Sequence, residues 1–181
     1  MKTQPEKESK MMTEMYEMMD TINVKPMPGD PDHHFAMMMK MHHEGAINMA
    51  CIELKEGANA NIKTMAQHII EKQKQEIARL DGFLESYISG TVNREFNMQM
   101  EMCMDKMDEQ SHLQNINGNI DHDFAMLMIS HHQSAIEMAD LIIKYGHNES
   151  IQRIAREIKE DQEIEIAEFQ KWLDENKSES Q

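Results

Sequence analysis

The stretch FAMMMKMHHEGAINMA (35–50) occurs twice in this chain, the second time as FAMLMISHHQSAIEMA (124–139). An offset of 89 positions aligns the two copies, and the register continues without a gap on both sides of them. Other aligned pairs are Met11 with Met100, Met15 with Met104, Met18 with Met107, Asp32 with Asp121, Gly57 with Gly146, Ile62 with Ile151, Gln73 with Gln162 and Glu76 with Glu165. The chain is therefore predicted to be a single domain, 1–181, made of a first repeat at about 8–88 and a second at about 92–176.

Helical periodicity runs through both repeats and stops at Pro and Gly positions. Val is rare while Ala, Glu, Lys, Gln and Met are plentiful, which favours helix over strand. The predicted helices span about 6–22, 33–56, 61–88, 92–114, 122–145 and 149–176. Their candidate N-caps are Asp32, Asn61, Thr91, Asp121 and Asn148 or Ser150. Two such units should pack about a pseudo-two-fold axis as an all-α, antiparallel four-helix bundle, with two Met-rich accessory helices beside it.

Composition and charge exclude several classes of protein. Of the 181 residues, 18 are Lys or Arg and 33 are Asp or Glu, which gives a formal net charge of -15. A chain without a Lys/Arg cluster is not expected to bind nucleic acid. No apolar run approaches the roughly 20 residues that membrane insertion of a helix requires. The 21 Met residues outnumber the seven Leu, so a soft thioether replaces much of the usual core side chain.

One methionine and two histidines converge on one face of the second predicted helix. Met39 precedes His42 by three positions and His43 by four, so the three side chains lie within about one helical turn. The second copy repeats this arrangement with Met128, His131 and His132. Both sets border the helix face that is expected to be buried.

Polar residues interrupt the apolar face of the third predicted helix. Gln73 and Glu76 lie one turn apart on that face, and the sixth helix repeats the interruption with Gln162 and Glu165. A buried carboxylate or amide without a partner is costly, so partners are expected, and the His pairs are the nearest candidates. A carboxylate that accepts a proton from one imidazole nitrogen leaves the other nitrogen free for a metal.

Two interpretations of this cluster stay open: a buried hydrogen-bond network that makes the bundle specific, and a metal site. Thioether and imidazole together suit Cu(I), and imidazole also accepts Cu(II), whereas Met is not a usual zinc ligand. A di-iron site needs Glu-x-x-His on two helices. The only such pair here, Glu109 and His112, has no counterpart in the other copy. Copper is therefore the expected metal.

Methionine also crowds the first, second and fourth predicted helices. Packing of an irregular core accounts for part of this excess, and exposed thioether sites for Cu(I) or Ag(I) are the alternative. The candidate ligands of such sites are Met11, Met15, Met18, Met38, Met100, Cys103, Met104 and Met107. Four methionines surround one turn at the start of the second helix, namely Met37, Met38, Met39 and Met41. Because they lie on all sides of the helix, some of them are expected to face solvent.

A histidine pair and a cysteine near the repeated motif carry expectations of their own. The pair His33 and His34, at the start of the second helix, is a candidate for weak Cu(II) binding, and a solvated helix start is the alternative. Cys51 aligns with Asp140, so it lies outside the repeated site and is expected to be a small core residue.

The doubled motif resembles the signature of a ferritin-like helical family known as domain of unknown function 305. Both copies have the form M-x-x-H-H-x-x-A-I-x-M-A, and the Gln-x-x-Glu-Ile segments at 73–77 and 162–166 resemble the helix that follows it. The likeness covers about residues 30–175. It implies a ferritin-like four-helix core in which the Met-x-x-His-His residues of both copies bind metal. Ser134 in place of Gly45 is a small departure that is expected to be harmless.

Members of this family are linked with copper, among them a periplasmic copper-binding protein of bacterial copper resistance. The resemblance implies binding of Cu(I), Cu(II) and, as a mimic, Ag(I), in the periplasm or elsewhere outside the cytoplasm. The polar start MKTQPEKESK is no signal peptide, so a cytoplasmic location stays open. We expect a protein that sequesters or carries copper and is not an enzyme. Its expected partners are metal ions and an unidentified copper-handling protein. The alternatives are a copper-dependent oxidase of Cu(I) and a metal-free structural helical module.

Overall fold

The computed structural model describes residues 9–176, which form six α-helices joined by short loops. The helices are α1 (Lys10–Val24), α2 (Pro31–Glu56), α3 (Ala60–Ser86), α4 (Arg94–Leu113), α5 (Ile120–Tyr145) and α6 (Glu149–Glu175). Every predicted helix is present, and the predicted all-α class is confirmed. The bounds agree to within two residues except at the start of α1, where the predicted residues 6–8 lie outside the described part of the chain.

Five of the helices begin at an Asp or Asn side chain that accepts a backbone hydrogen bond. These caps are Asp30, Asn59, Asn93, Asn119 and Asn148. Asn148 was predicted, whereas the other predicted caps are wrong by two residues. Three of them lie inside the first helical turn, namely Asp32, Asn61 and Asp121, and Thr91 lies before α4. The predictions failed because each true cap has another Asp, Asn or Thr two positions away, and spacing alone does not choose between them.

Asp32 and Asp121 instead accept hydrogen bonds from loops of the opposite half. Asp121 at the start of α5 accepts from the backbone N–H groups of Ala58 and Asn59, at 2.8 to 3.1 Å. Asp32 at the start of α2 makes the equivalent contacts, at 3.1 to 3.3 Å, with the N–H groups of His147 and Asn148. Because a charged acceptor makes a strong hydrogen bond, these crossed contacts join the start of each His-bearing helix to the other half.

Helices α2 and α5 form the centre of the bundle. They pack against each other, α2 also packs against α3, and α5 also packs against α6. The accessory helix α1 lies mainly on α2, and α4 lies on α5. This is the expected antiparallel four-helix bundle with two Met-rich accessory helices. No helix in the described part of the chain has the length and apolar character that a membrane span needs.

Two equivalent positions that face the accessory helices carry different side chains. A Cβ atom on Gly45 of α2 would overlap Met18 Sδ of α1 and lie 3.1 Å from its Cβ, so glycine is needed for this approach. The equivalent residue of α5 is Ser134, which is buried, with its Oγ 3.8 Å from Met104 Sδ of α4. The serine is therefore accommodated between α5 and α4.

Candidate metal centre

The paired histidines of the two repeats meet at the centre of the bundle. His42 and His43 on α2 and His131 and His132 on α5 are all 0 % exposed, and we refer to them as the central His cluster. Each pair is followed one turn later by a fully buried Ala, which allows α2 and α5 to pack closely. The internal repeat therefore brings equivalent residues of both halves into one polar cluster inside an apolar core.

His42 and His131 stack on one another. Their ring centroids lie 3.6 Å apart, with an angle of 30° between the ring planes. Neither nitrogen of either ring has a hydrogen-bond partner of normal geometry among the described residues. Burial, reinforced by the neighbouring histidines, lowers the pKa of both imidazoles well below the usual value. Both rings are therefore neutral near pH 7, and each has one nitrogen lone pair that nothing uses.

His43 and His132 each contact a carboxylate of a neighbouring helix. His43 Nε2 lies 2.8 Å from Glu76 Oε2 on α3. The second half repeats this contact at 2.7 Å, between His132 Nε2 and Glu165 Oε2 on α6. Because the carboxylate lies at Nε2, the nitrogen left for another ligand is Nδ1. Among residues 9–176, neither nitrogen of either ring makes a hydrogen bond of normal geometry, so the contact at Nε2 is an ion-pair distance only.

The other residues predicted for this site are buried on the same helices. Gln73 and Gln162 precede the two carboxylates by one turn, are 2 % exposed, and have amides without hydrogen-bond partners in the described structure. Met39 and Met128 precede the His pairs by one turn and are 0 % exposed. Each half thus contributes imidazole, carboxylate, amide and thioether groups to the core.

This donor set suits a soft metal ion better than a hard one. Within residues 9–176, no three or more His, Cys, Asp and Glu side chains are arranged to hold a metal on their own. A metal in the central His cluster would therefore also need a thioether, from Met39 or Met128. Neutral imidazole with thioether is a ligand set that fits Cu(I) and, by the same softness, Ag(I).

The methionine faces that α1 and α4 turn toward the bundle are buried, so exposed thioether sites are wrong for the candidate ligands on these faces, whereas Met98 and Met102 of α4 are exposed. Met11, Met15 and Met18 on α1 are at most 5 % exposed, and the equivalent set on α4 is at most 3 % exposed, namely Met100, Met104 and Met107. At the start of α2, Met37 is partly buried and three residues are buried, namely Met38, Met39 and Met41. The reason is that α1 and α4 turn these faces toward α2 and α5, where Met fills the interface. Metal binding by these residues stays a prediction.

The two cysteines occupy different environments, and neither forms a disulfide. Cys103 on α4 is buried, and burial raises the pKa of its thiol to about 11. A metal that bound there would have to displace this proton. Cys51 is exposed, which contradicts its predicted place in the core. It lies on the outer face of α2, which it shares with the exposed residues Asn48 and Lys55.

His33 and His34 at the start of α2 have different partners. His33 is partly buried, and its Nδ1 makes a hydrogen bond with Ser89 Oγ. His34 is only 2 % exposed, and its Nδ1 lies 2.8 Å from Asn97 Oδ1 on α4. The solvated helix start offered as the alternative is therefore wrong for His34. The burial of His34 could have been predicted from its spacing, because His34 lies one turn before Met38 and two turns before His42 on a buried face.

The profile of a known family, described as Domain of unknown function (DUF305), matches residues 32–176. This match contains both copies of the His motif and nearly all of the four bundle helices. The chain belongs to the DUF305 family. The resemblance noted from the doubled motif is thereby confirmed. No curated protein matches the chain.

Solved structures of similar proteins share the fold of this DUF305 member. A DUF305 protein of Streptomyces coelicolor, described as a predicted secreted protein, is 22% identical with a TM-score of 0.65, over 81% of this chain and 92% of that chain. CopM in the Cu(I)-bound form is 24% identical with a TM-score of 0.60, over 80% and 96%. CopM in the Ag-bound form obtained by soaking is 24% identical with a TM-score of 0.62, over 80% and 95%. At these identities the similarity shows the fold.

Proposed function

We propose that this protein binds copper reversibly at the central His cluster and thereby sequesters or carries it. The observation that supports this most is the stacked pair His42 and His131, which is fully buried and neutral, and whose ring nitrogens have no hydrogen-bond partner of normal geometry within residues 9–176. A buried polar group left unpaired costs about 1–3 kcal/mol. A metal ion bound by the in-plane lone pair of either ring would offset this cost for that ring, whereas a purely structural role would leave it in place.

The proposed ligands come equally from the two halves. They are Met39, His42, His43, Met128, His131 and His132. Glu76 and Glu165 would orient His43 and His132 through their Nε2 atoms. Cu(I) is the proposed principal cargo, with Cu(II) and Ag(I) as further ions. The solved structures of CopM with Cu(I), Cu(II) and Ag support this choice of metals.

The surroundings of the site favour storage over catalysis. All four imidazoles are 0 % exposed, so a second substrate such as O2 would reach a bound metal less readily than in an open site. The formal net charge of -15 raises the local concentration of cations around the protein. The description of the Streptomyces coelicolor relative as secreted supports a location outside the cytoplasm. These features support the proposal of an extracytoplasmic metal-binding protein over that of an enzyme.

A competitive titration tests this proposal. Cu(I) would be titrated anaerobically into the protein against a chromophoric chelator, and the number of tightly bound equivalents would be counted. We expect at least one per chain. At a free concentration of about 100 times Kd, binding should stabilise the fold by about 2.7 kcal/mol, which corresponds to a rise in Tm of about 5–10 °C for a chain of this size.

A double substitution distinguishes copper binding at the central His cluster from a purely structural role of these histidines. In H42L/H131L, Leu replaces two unpaired imidazoles, so the metal-free Tm should stay the same or rise while the metal-dependent increase is lost. H68L/H147L is the matched control, because both of these histidines are exposed, and it should keep the increase. Less than one tightly held Cu(I) per wild-type chain, with no change in Tm, would favour the structural module. Oxygen uptake on adding Cu(I), above the metal-only blank, would favour the oxidase.

A further inference from the structure

A cavity of about 410 Å³ lies between α1, α2 and α4, away from the central His cluster. The residues that matter for its chemistry are Met27, His34, Met38, Asn97, Glu101 and Met104. Glu101 is exposed, so the cavity is open to solvent on one side, while His34, Met38 and Met104 are at most 3 % exposed and form its inner wall.

His34 offers an unused lone pair in this cavity. Its Nδ1 lies 2.8 Å from Asn97 Oδ1, and because a carbonyl oxygen only accepts hydrogen bonds, Nδ1 is the nitrogen that carries the proton. Nε2 is therefore the nitrogen with the lone pair, and it is buried without a hydrogen-bond partner in the part of the chain that the structure describes. Burial also lowers the pKa of this imidazole, so the lone pair is available near pH 7. A hydrogen bond that fixes the tautomer in this way is typical of a metal-binding histidine.

The other inner residues supply soft donors. Met38 follows His34 by one turn of α2, Met104 comes from α4, and Met27 comes from the loop between α1 and α2. Glu101, Asp105 and Lys25 also line the cavity, so the charged groups there are two carboxylates and one ammonium, with a net negative balance that favours a cation. One imidazole with up to three thioethers matches the preferences of Cu(I) and Ag(I), and does not match those of zinc or of hard divalent ions.

The other repeat shows that the fold itself does not require these donors. Three of the equivalent positions carry side chains that are poor ligands for a soft metal: Ile116 for Met27, Asp123 for His34 and Leu127 for Met38. Asp123 instead accepts hydrogen bonds from the backbone N–H groups of Asn117 and Gly118. Three of the four soft donors are thus found in the first repeat alone, whereas the fourth, Met104, comes from the second repeat and has Met15 as its equivalent.

We propose that this cavity is a separate soft-metal site, which binds Cu(I) or Ag(I) through His34 Nε2 and the thioethers of Met38, Met104 and Met27. It shares no ligand with the central His cluster, and so it stands whether or not that cluster binds metal. Because one side is open to solvent, it is also the more accessible of the two sites for an incoming ion.

The test is an Ag(I) titration of the full chain, followed by NMR of ¹³C-labelled Met methyl groups. Coordination of a thioether should shift the methyl signals of Met27, Met38 and Met104. The variant M27I/M38L carries the residues of the other repeat, so the fold should accept it. We expect it to lose one Ag(I) equivalent, or to weaken that equivalent at least tenfold, and H34L should do the same. M65L, a partly buried Met on α3, is the matched control and should behave as wild type.

The outcomes distinguish this site from the central one. In H42L/H131L, persistence of one Ag(I) equivalent with shifts at Met27, Met38 and Met104 would support the cavity site even if the central cluster proved empty. Unshifted methyl signals of these three residues in the wild-type protein at saturating Ag(I) would overturn the proposal. Unchanged stoichiometry and affinity in both H34L and M27I/M38L would do so as well, whatever the central cluster binds.

Discussion

Glu53 places a carboxyl group in the core at a position where the other repeat has an apolar side chain. It is 0 % exposed, and its equivalent in α5 is Ile142. Neither of its oxygens has a hydrogen-bond partner of normal geometry in the described structure. Burial and the nearby Asp121 carboxylate raise the pKa of Glu53 from 4.5 to about 8. The folded protein therefore holds this carboxyl group protonated near neutral pH.

The raised pKa of Glu53 predicts how stability depends on pH. Between about pH 4.5 and 8 the folded state keeps the proton and the unfolded state releases it, so stability falls as pH rises through this range. E53Q keeps the shape and removes the ionisation, so it should be more stable than wild type by about 4–5 kcal/mol at pH 9 and nearly equal at pH 4. Urea unfolding at both pH values measures this. The control is E85Q at an exposed position, which should follow wild type at both pH values. The prediction would be contradicted if the free energy of unfolding changed equally between pH 4 and pH 9 in wild type and E53Q.

Residues shared by both repeats were more predictable than residues found in one. Met39, His42, His43 and their equivalents stood out because the same pattern occurs twice at buried helical positions. Glu53 and His34 have Ile142 and Asp123 as equivalents, so the repeat gave no reason to single them out. Their burial depends on how α2 packs against other helices, which a single helix pattern does not specify.

At the scale of helices, the crossed hydrogen bonds of Asp32 and Asp121 hold the two halves in register. Each carboxylate accepts from backbone N–H groups that directly precede a bundle helix of the opposite half. Such N–H groups have no partner within their own helix, so an external acceptor satisfies them. Each carboxylate therefore links the start of its own central helix to the start of the outer helix of the opposite half: Asp32 links α2 to α6, and Asp121 links α5 to α3.

Removal of one crossed contact should destabilise the whole bundle. D32A leaves the N–H groups of His147 and Asn148 without this acceptor and takes one partner from the Tyr87 hydroxyl. We expect a loss of about 2–3 kcal/mol and a fall in Tm of about 5–10 °C, measured by calorimetry. D32N, which retains one oxygen acceptor, should recover part of the loss. D20A, at an exposed position of α1, should leave Tm within about 1 °C of wild type. A similarly small change in D32A would show that the contact is dispensable.

Helix bounds were predictable, whereas the docking of the accessory helices was not. Pro31, Gly57 and Gly146 lie at helix ends as the sequence indicated, because each interrupts helical periodicity. The burial of the Met faces on α1 and α4 follows from their contacts with α2 and α5, which involve residues far apart in the chain. The spacing of the methionines shows that α1 and α4 each have a Met-rich face. Whether that face is exposed depends on the helix that packs against it, which the spacing does not reveal.

For the whole molecule, the main interface between the halves is the contact of α2 with α5. It buries the central His cluster and both crossed carboxylates, so each half completes its core only with the other. An isolated half would expose the apolar face of its central helix, including Met39 and the stacked ring of His42. Since α2 and α5 carry the same motif, a second copy of one half can present nearly the same face.

Separated halves are therefore expected to associate. A chain of residues 9–90 should form a helical dimer of about the mass of the full protein, in which His42 meets its own copy. An equimolar mixture with residues 91–176 should give a heterodimer, because Lys72 pairs with Asp161 across the halves, whereas two copies of residues 9–90 would place Lys72 opposite its own copy. Light scattering and circular dichroism measure mass and helicity. A helical monomer of residues 9–90 that unfolds cooperatively at micromolar concentration would contradict this, because it would show that one repeat completes a core alone.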